Sequence, residues 1–550
     1  MNKIIGRVAA TEKFPSTMDK FYFWTNADFR LNAFDVVKVE HLDDSFSFGT
    51  VENIYHITDA KSFLTNYISN DFGDISTKPS TLRIGMNYVE VAVSYNDKNI
   101  YTPVNNDSAV YLATAEEIKQ ALGLDKIRNP LPCGFLKMYA DTPNEIFLPV
   151  NLNSQFILGP EGAHLNISGI SGLAAKTSYA MFLIKSVVDS YSKRDFDESV
   201  AFIIFNVKGK DLMAIHSPNE DDDYLKIVED YKRLGLKGQP FKNVHYYAPF
   251  NENKGVTTYL SEDMIQNYLA EKILKKFKYT YEDDRESLEM LFADIEDTTQ
   301  TMDSIISKIL DANDPDFKDI STWENFLGKV DELSKKGNAK EISVLSWRKF
   351  KRIVNKAIKN DKMFSSRCAY NKNECRLAEE FQKISAGSIS VIDIAKLSTD
   401  KQAFVFGDVL KTIYKLKLGE YENDYNPPSK IIVFVDELNK YAGKDTAKNS
   451  PILRQILDIA ERGRSLGIIL FGAEQFRSAI HPRVTGNCST FAFGRTNVIE
   501  TVAKDYSALP QTYKNILTRL EQGEYVIQNP IFRSLLKIQF PKPVYKQFKD

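Results

Sequence analysis

The chain has 550 residues, 43% hydrophobic and 26% charged, and its 71 Lys plus Arg nearly cancel 73 Asp plus Glu, leaving a formal net charge of −2. That length exceeds one hydrophobic core, so about two to four domains are expected. The balance of charge excludes a protein that coats nucleic acid with its whole surface; positive charge for DNA has to be confined to a few loops or a pore.

Residues 1–100 read as short strands separated by Asp, Asn, Gly and Pro clusters: IIGRV, FYFWTN, FDVVKVEHL, FGTVENIYHI and YVEVAVSYN. Short, regularly spaced β segments predict a small β-barrel. Residues 101–164 are a connector containing one helix, TAEEIKQALGL, in which Thr114 and Glu117 have the spacing of a capping box.

From residue 165 the pattern becomes wholly apolar runs alternating with amphipathic helices: LNISGI, AFIIFNV, VHYYAPF, SISVIDI, KIIVFVDEL, LGIILFGAE and STFAFG. Strands apolar throughout and joined through helices predict a parallel sheet covered on both faces. The α/β core is expected in two parts, 165–257 and 386–520. A charged, helix-rich insertion at 258–385 separates them, and strands with a tail follow at 521–550.

HLNISGISGLAAKTSYAMFLIKSVV is a strand, a Gly-containing turn and a helix. Such a loop aims backbone N–H groups and a helix N-terminus at a phosphate. The cradle is Gly169, Ser171, Gly172, Leu173, Ala174, Ala175, Lys176, Thr177 and Ser178. Lys176 is expected to reach the β- and γ-phosphates of ATP, and Thr177 to offer a hydroxyl to Mg2+. The match is imperfect: Ala175 stands where the GxxxxGK[ST] pattern has Gly, and Gly169 lies one residue early.

KIIVFVDELNKYA runs five apolar residues into Asp436 and Glu437. At the carboxyl end of a central strand these carboxylates face the crevice where α/β proteins bind ligands. Asp436 is expected to hold Mg2+ and Glu437 to orient or deprotonate the attacking water.

With both motifs in place, the chain resembles the HerA-like ATPases of the HerA/FtsK group of hexameric DNA translocases. The likeness is strongest in ILDIAERGRSLGIILFGAEQFRSAIHPRVTGNCSTFAFGRTNVIE. There the family's sensor Gln falls on Gln475 and its NC-x-T-x-x-x-x-R pattern on Asn487, Cys488, Thr490 and Arg495. The resemblance implies a RecA-like ATPase core with an N-terminal barrel. It also implies an arginine finger acting on the neighbouring subunit's ATP, with Arg462 in that place and Arg464 as the other candidate. A homo-hexamer follows, with a separate effector such as a nuclease or a sirtuin-like NAD hydrolase, as in antiphage defence pairs. The alternative is a ring that binds nucleotide mainly to assemble and regulate such a partner.

In a ring, loops after strand ends line a channel. The expected DNA-facing lysines are Lys208 and Lys210 in VKGK and Lys440, Lys444 and Lys448 in KYAGKDTAK, and the natural guest is double-stranded DNA contacted through its backbone. Cys133, Cys368, Cys375 and Cys488 form no CxxC pair, which fits a reducing cytosol and supports neither zinc nor disulfides. MNKIIGRVAATEKF lacks a signal-peptide core, and no run approaches the roughly 20 apolar residues of a membrane span, so a cytoplasmic protein is expected.

Overall fold

A computed structural model describes residues 3–69, 76, 84–172, 175–192, 198–293, 295, 300–336, 342–369, 372–421 and 425–548. The chain divides into two compact units, one of residues 1–153 and 493–540 and the other of residues 154–492 and 541–550.

The first unit contains a closed antiparallel barrel. Its six strands are Ile4–Val8, Lys20–Thr25, Val36–Glu40, Phe46–Thr58, Gly85–Asn96 and Ala109–Leu112. Alternation supplies its core: Phe21, Phe23 and Thr25 point inward from one strand, while Tyr22 and Trp24 do not. The barrel therefore reaches past residue 100 to Leu112. Tyr139 anchors it from outside, its hydroxyl donating to the Val36 carbonyl at 2.6 Å. Thr114 and Glu117 form the expected capping box on the helix Ala115–Leu122. Within the stretch read as a connector lie two further strands, Pro130–Met138 and Ile146–Asn153. They pair antiparallel with each other, and the first also pairs with Leu536–Gln539, the partner of Glu524–Gln528.

The second unit is built on a parallel sheet. Its spatial order is Glu374–Cys375, Leu274–Phe277, Val244–Asn251, Ile389–Asp393, Val200–Asn206, Lys430–Asp436, Ile468–Glu474 and Leu165–Ser168. All seven residues of Val200–Asn206 and of Ile468–Glu474 are buried, as two covered faces require. The helices Lys176–Tyr191, Thr399–Leu418 and Pro451–Leu466 help cover those faces. Phe406 shows how: it packs edge-on against Phe205 of the sheet at 4.9 Å and stacks on Tyr441 at 4.3 Å.

The 258–385 segment is more than helical. Its helices Thr301–Leu310, Trp323–Leu333 and Val344–Ile358 bury Trp323, Phe326, Trp347 and Phe350 in the same core as the sheet. It also adds two strands, Leu274–Phe277 and, at the edge, Glu374–Cys375, both too short to show a period in sequence. The last residues return to this unit, where Asn219 Nδ2 donates to the Pro543 carbonyl at 2.8 Å. The architecture is thus α/β, a RecA-like parallel-sheet core with an N-terminal barrel. Among the described residues no helix is long and apolar enough to cross a membrane.

Candidate nucleotide site

Four strands set out the site at their carboxyl ends: Leu165–Ser168, then Ile468–Glu474, Lys430–Asp436 and Val200–Asn206. The loop after the first runs through Gly169 and Gly172, both with positive φ (154° and 80°), into the helix Lys176–Tyr191. Leu173 and Ala174 lie outside the described residues. Ala175 adopts left-handed backbone (φ 47°, ψ 41°) and no side chain caps the helix that follows. With no side-chain cap from Ala175, the N-terminus of that helix suits a phosphate. The left-handed turn also explains why the sequence pattern has Gly at this place: a Cβ there costs about 1 kcal/mol.

Lys176 is buried, and its ammonium donates to the Gly169 carbonyl at 2.9 Å and to Ser171 Oγ at 3.3 Å. Burial lowers its pKa, opposed by the nearby Asp436 charge. Thr177 Oγ1 donates to Asp436 Oδ2 at 2.8 Å. The two residues expected to hold Mg2+ are therefore in contact, and a hydroxyl beside a buried carboxylate is an oxygen donor set that suits this ion. Gln475 Nε2 donates to Ser171 Oγ at 2.6 Å, joining the sensor position to the phosphate loop. Ser178 is more remote, with its hydroxyl accepting from Gln547 Nε2 at 3.1 Å.

Glu437 has left-handed backbone as well (φ 56°), a strained setting typical of working sites. Its carboxylate is ion-paired on both oxygens, Oε1 with Lys208 and Oε2 with Lys440 at 2.7 Å. Burial alone would raise its pKa, but the hydrogen bonds from Lys208 and Lys440 outweigh burial and hold it below the usual carboxylate range. Two of the lysines expected in a DNA channel thus engage Glu437 in this structure. Lys210 lies over the ring of Phe548 at 4.6 Å. Lys444 and Lys448 are exposed on the loop that follows the short helix Asn439–Ala442.

Arg462 and Arg464 are exposed on the helix Pro451–Leu466; Arg464 Nη1 donates to the Glu161 carbonyl at 3.3 Å. Asn487 and Cys488 form a turn, donating to the Arg483 and Val484 carbonyls. Arg495 falls in the unit that carries the barrel.

Glu474 escaped the sequence reading. It is fully buried at the end of the sensor strand, and its carbonyl accepts from Gly169 N at 3.1 Å. Burial pushes its carboxyl well above the ordinary range, with Asn166, Arg477 and Lys176 pulling the other way. The signal available was an acid closing the otherwise apolar run IILFGAE.

No family model matches this chain, and no curated protein matches it. Solved structures do. The bacterial conjugative coupling protein TrwBdeltaN70, in its unbound monoclinic form, is similar at 10% identity over 73% of this chain and 90% of that one, with a TM-score of 0.41. The plasmid coupling protein TrwB in complex with a non-hydrolysable GTP analogue is similar at 10% identity, covering 70% and 87%, with a TM-score of 0.40. The genome packaging NTPase from Sulfolobus turreted icosahedral virus 2 in complex with ATP-gammaS is similar at 13% identity over 30% of this chain and 72% of that one, with a TM-score of 0.22.

Proposed function

We propose that this chain is an ATP-hydrolysing, ring-forming motor that moves double-stranded DNA and acts with a separate effector. The observation that carries the hydrolysis reading is the contact of Thr177 with Asp436, with Lys176 held in the same loop and Glu437 on the next residue. Bound there, Mg2+ would neutralise charge on the terminal phosphates. Lys176 and the N-terminal N–H groups of its helix would orient the phosphates, Thr177 and Asp436 would hold the ion, and Gln475 joins the loop to the strand before it. Glu437 positions the attacking water.

The exposed guanidinium of Arg462 suits a finger offered to a neighbouring copy, and that supports a homo-hexamer. Copies arranged around a channel would multiply the charge of Lys444 and Lys448, which supports contact with a DNA backbone. The effector, a nuclease or NAD hydrolase in antiviral defence, rests on the HerA resemblance alone.

A second reading is a nucleotide-binding scaffold that assembles and regulates its partner. The double ion pair on Glu437 favours it, since both oxygens of the catalytic carboxylate are occupied. Hydrolysis with and without double-stranded DNA, in wild type and Glu437→Ala, separates the two. DNA-stimulated turnover lost in the variant supports the motor. No turnover under any condition, partner included, leaves the scaffold.

A further inference from the structure

Lys208 and Lys440 reach Glu437 in different ways. Lys440 is three residues along the same chain, so its contact is local. Lys208 comes from the turn after Val200–Asn206, the strand that pairs with Lys430–Asp436. The backbone of that turn is fixed. Asn206 Nδ2 donates to the Gly209 carbonyl at 3.1 Å and to Asp393 Oδ1 at 2.9 Å, and Asp393 Oδ2 accepts from Thr258 Oγ1 at 2.6 Å. The Lys208 side chain, by contrast, is 44% exposed on a flexible four-carbon stem, whereas Glu437 is 14% exposed. Lys208 also stands close enough to Lys176 for their charges to repel, so its ammonium borders the phosphate crevice.

We infer that Lys208 is a nucleotide-sensing residue, exchanging its ion pair with Glu437 for the terminal phosphate of a nucleoside triphosphate. The inference rests on the ATP-site reading above. A terminal phosphate brings about two negative charges against the single charge of Glu437, and it enters a crevice where Lys208 now opposes Lys176. The charge of the phosphate offsets that repulsion, and transfer of the ammonium frees Glu437 Oε1, while Lys440 continues to hold Oε2. The carboxylate then has one oxygen for water only when a triphosphate is present. A diphosphate, lacking the terminal group, leaves Lys208 on Glu437.

The test is equilibrium binding of ADP and of the β,γ-imido analogue of ATP to the full chain. It compares wild type, Lys208→Ala, Lys208→Arg, Glu437→Ala and the double alanine variant. Lys208→Ala is expected to weaken the analogue about tenfold, the worth of one charge-assisted hydrogen bond, and to leave ADP within about twofold. Lys208→Arg keeps the preference for the analogue. Glu437→Ala removes the competitor and tightens the analogue, and this gain disappears in the double variant. Equal weakening of both nucleotides by Lys208→Ala, or equal tightening by Glu437→Ala in both backgrounds, overturns the inference while leaving the ATP site standing. Wild type that binds neither nucleotide overturns the ATP-site reading and this inference with it.

Discussion

Thr177 and Asp436 stand 259 residues apart and meet through one hydrogen bond of 2.8 Å. The helix after the phosphate loop and the central acidic strand are brought together by the order of the sheet, in which only Ile468–Glu474 separates their strands. The contact gathers a hydroxyl and a carboxylate on one side of Lys176. Asp436→Ala is expected to reduce Mg2+-dependent ATP hydrolysis by about 100-fold or more, the loss of several kcal/mol of charge stabilisation. Thr177→Ser, which keeps the hydroxyl, should stay close to wild type. Steady-state rates across a Mg2+ titration check both.

Ala175 holds a left-handed turn that its Cβ disfavours. Ala175→Gly removes that strain of about 1 kcal/mol, largely offset by greater freedom in the unfolded chain, so the variant is expected to gain at most about 0.5 kcal/mol at this position. It should also bind nucleotide more tightly, because the loop no longer works against its own backbone. Denaturant midpoints and nucleotide dissociation constants, measured together, test the pair of expectations. Weaker binding by Ala175→Gly would mean the methyl group packs usefully.

His164 tests the core rather than the chemistry. It is buried, its Nδ1 accepts from the Leu470 backbone at 3.0 Å, and its pKa is lowered to about 4, first by burial. The unfolded chain takes up this proton near pH 6.5, whereas the folded chain resists until about 4. The stability contribution is therefore complete above pH 6.5 and lost as pH falls towards 4. The loss is about 3 kcal/mol. Urea denaturation from pH 7 to 4, compared with His164→Gln, should show the variant lacking that share of the slope.

Arg462 is expected to act between copies. Arg462→Ala should cut hydrolysis about 1000-fold without changing nucleotide affinity much. Mixing it with Glu437→Ala should restore part of the activity, because some interfaces then pair an intact finger with an intact site. Normal hydrolysis by Arg462→Ala would move the finger to Arg464, and absence of recovery in mixtures that form rings would place Arg462 in its own subunit's site.

Much of this site could be read from order along the chain. The apolar run ending in Asp436 and Glu437 forms the strand expected of it, and the Gly169–Ser178 segment leads from strand to helix. Gln475, the residue after the buried strand Ile468–Glu474, came instead from the family resemblance. What could not be read was which neighbour each charged group finds. Lys208 and Lys440 looked like channel lysines because a lysine after a strand end is compatible with any anion. Only the pairing of Val200–Asn206 with Lys430–Asp436 puts Lys208 on Glu437.

The sequence by itself determined the long apolar strands of the α/β core and the residues displayed at their ends, because burial on one face or two writes a period into the chain. The tertiary structure alone decided that Leu274–Phe277 and Glu374–Cys375 extend the sheet, that Ala175 turns left-handed, that Glu474 is sealed beside the loop, and that two lysines hold Glu437. Hydrophobic periodicity reports that a residue is covered and is silent on what covers it. Contacts between strands distant in sequence are set by sheet order, which no local pattern records.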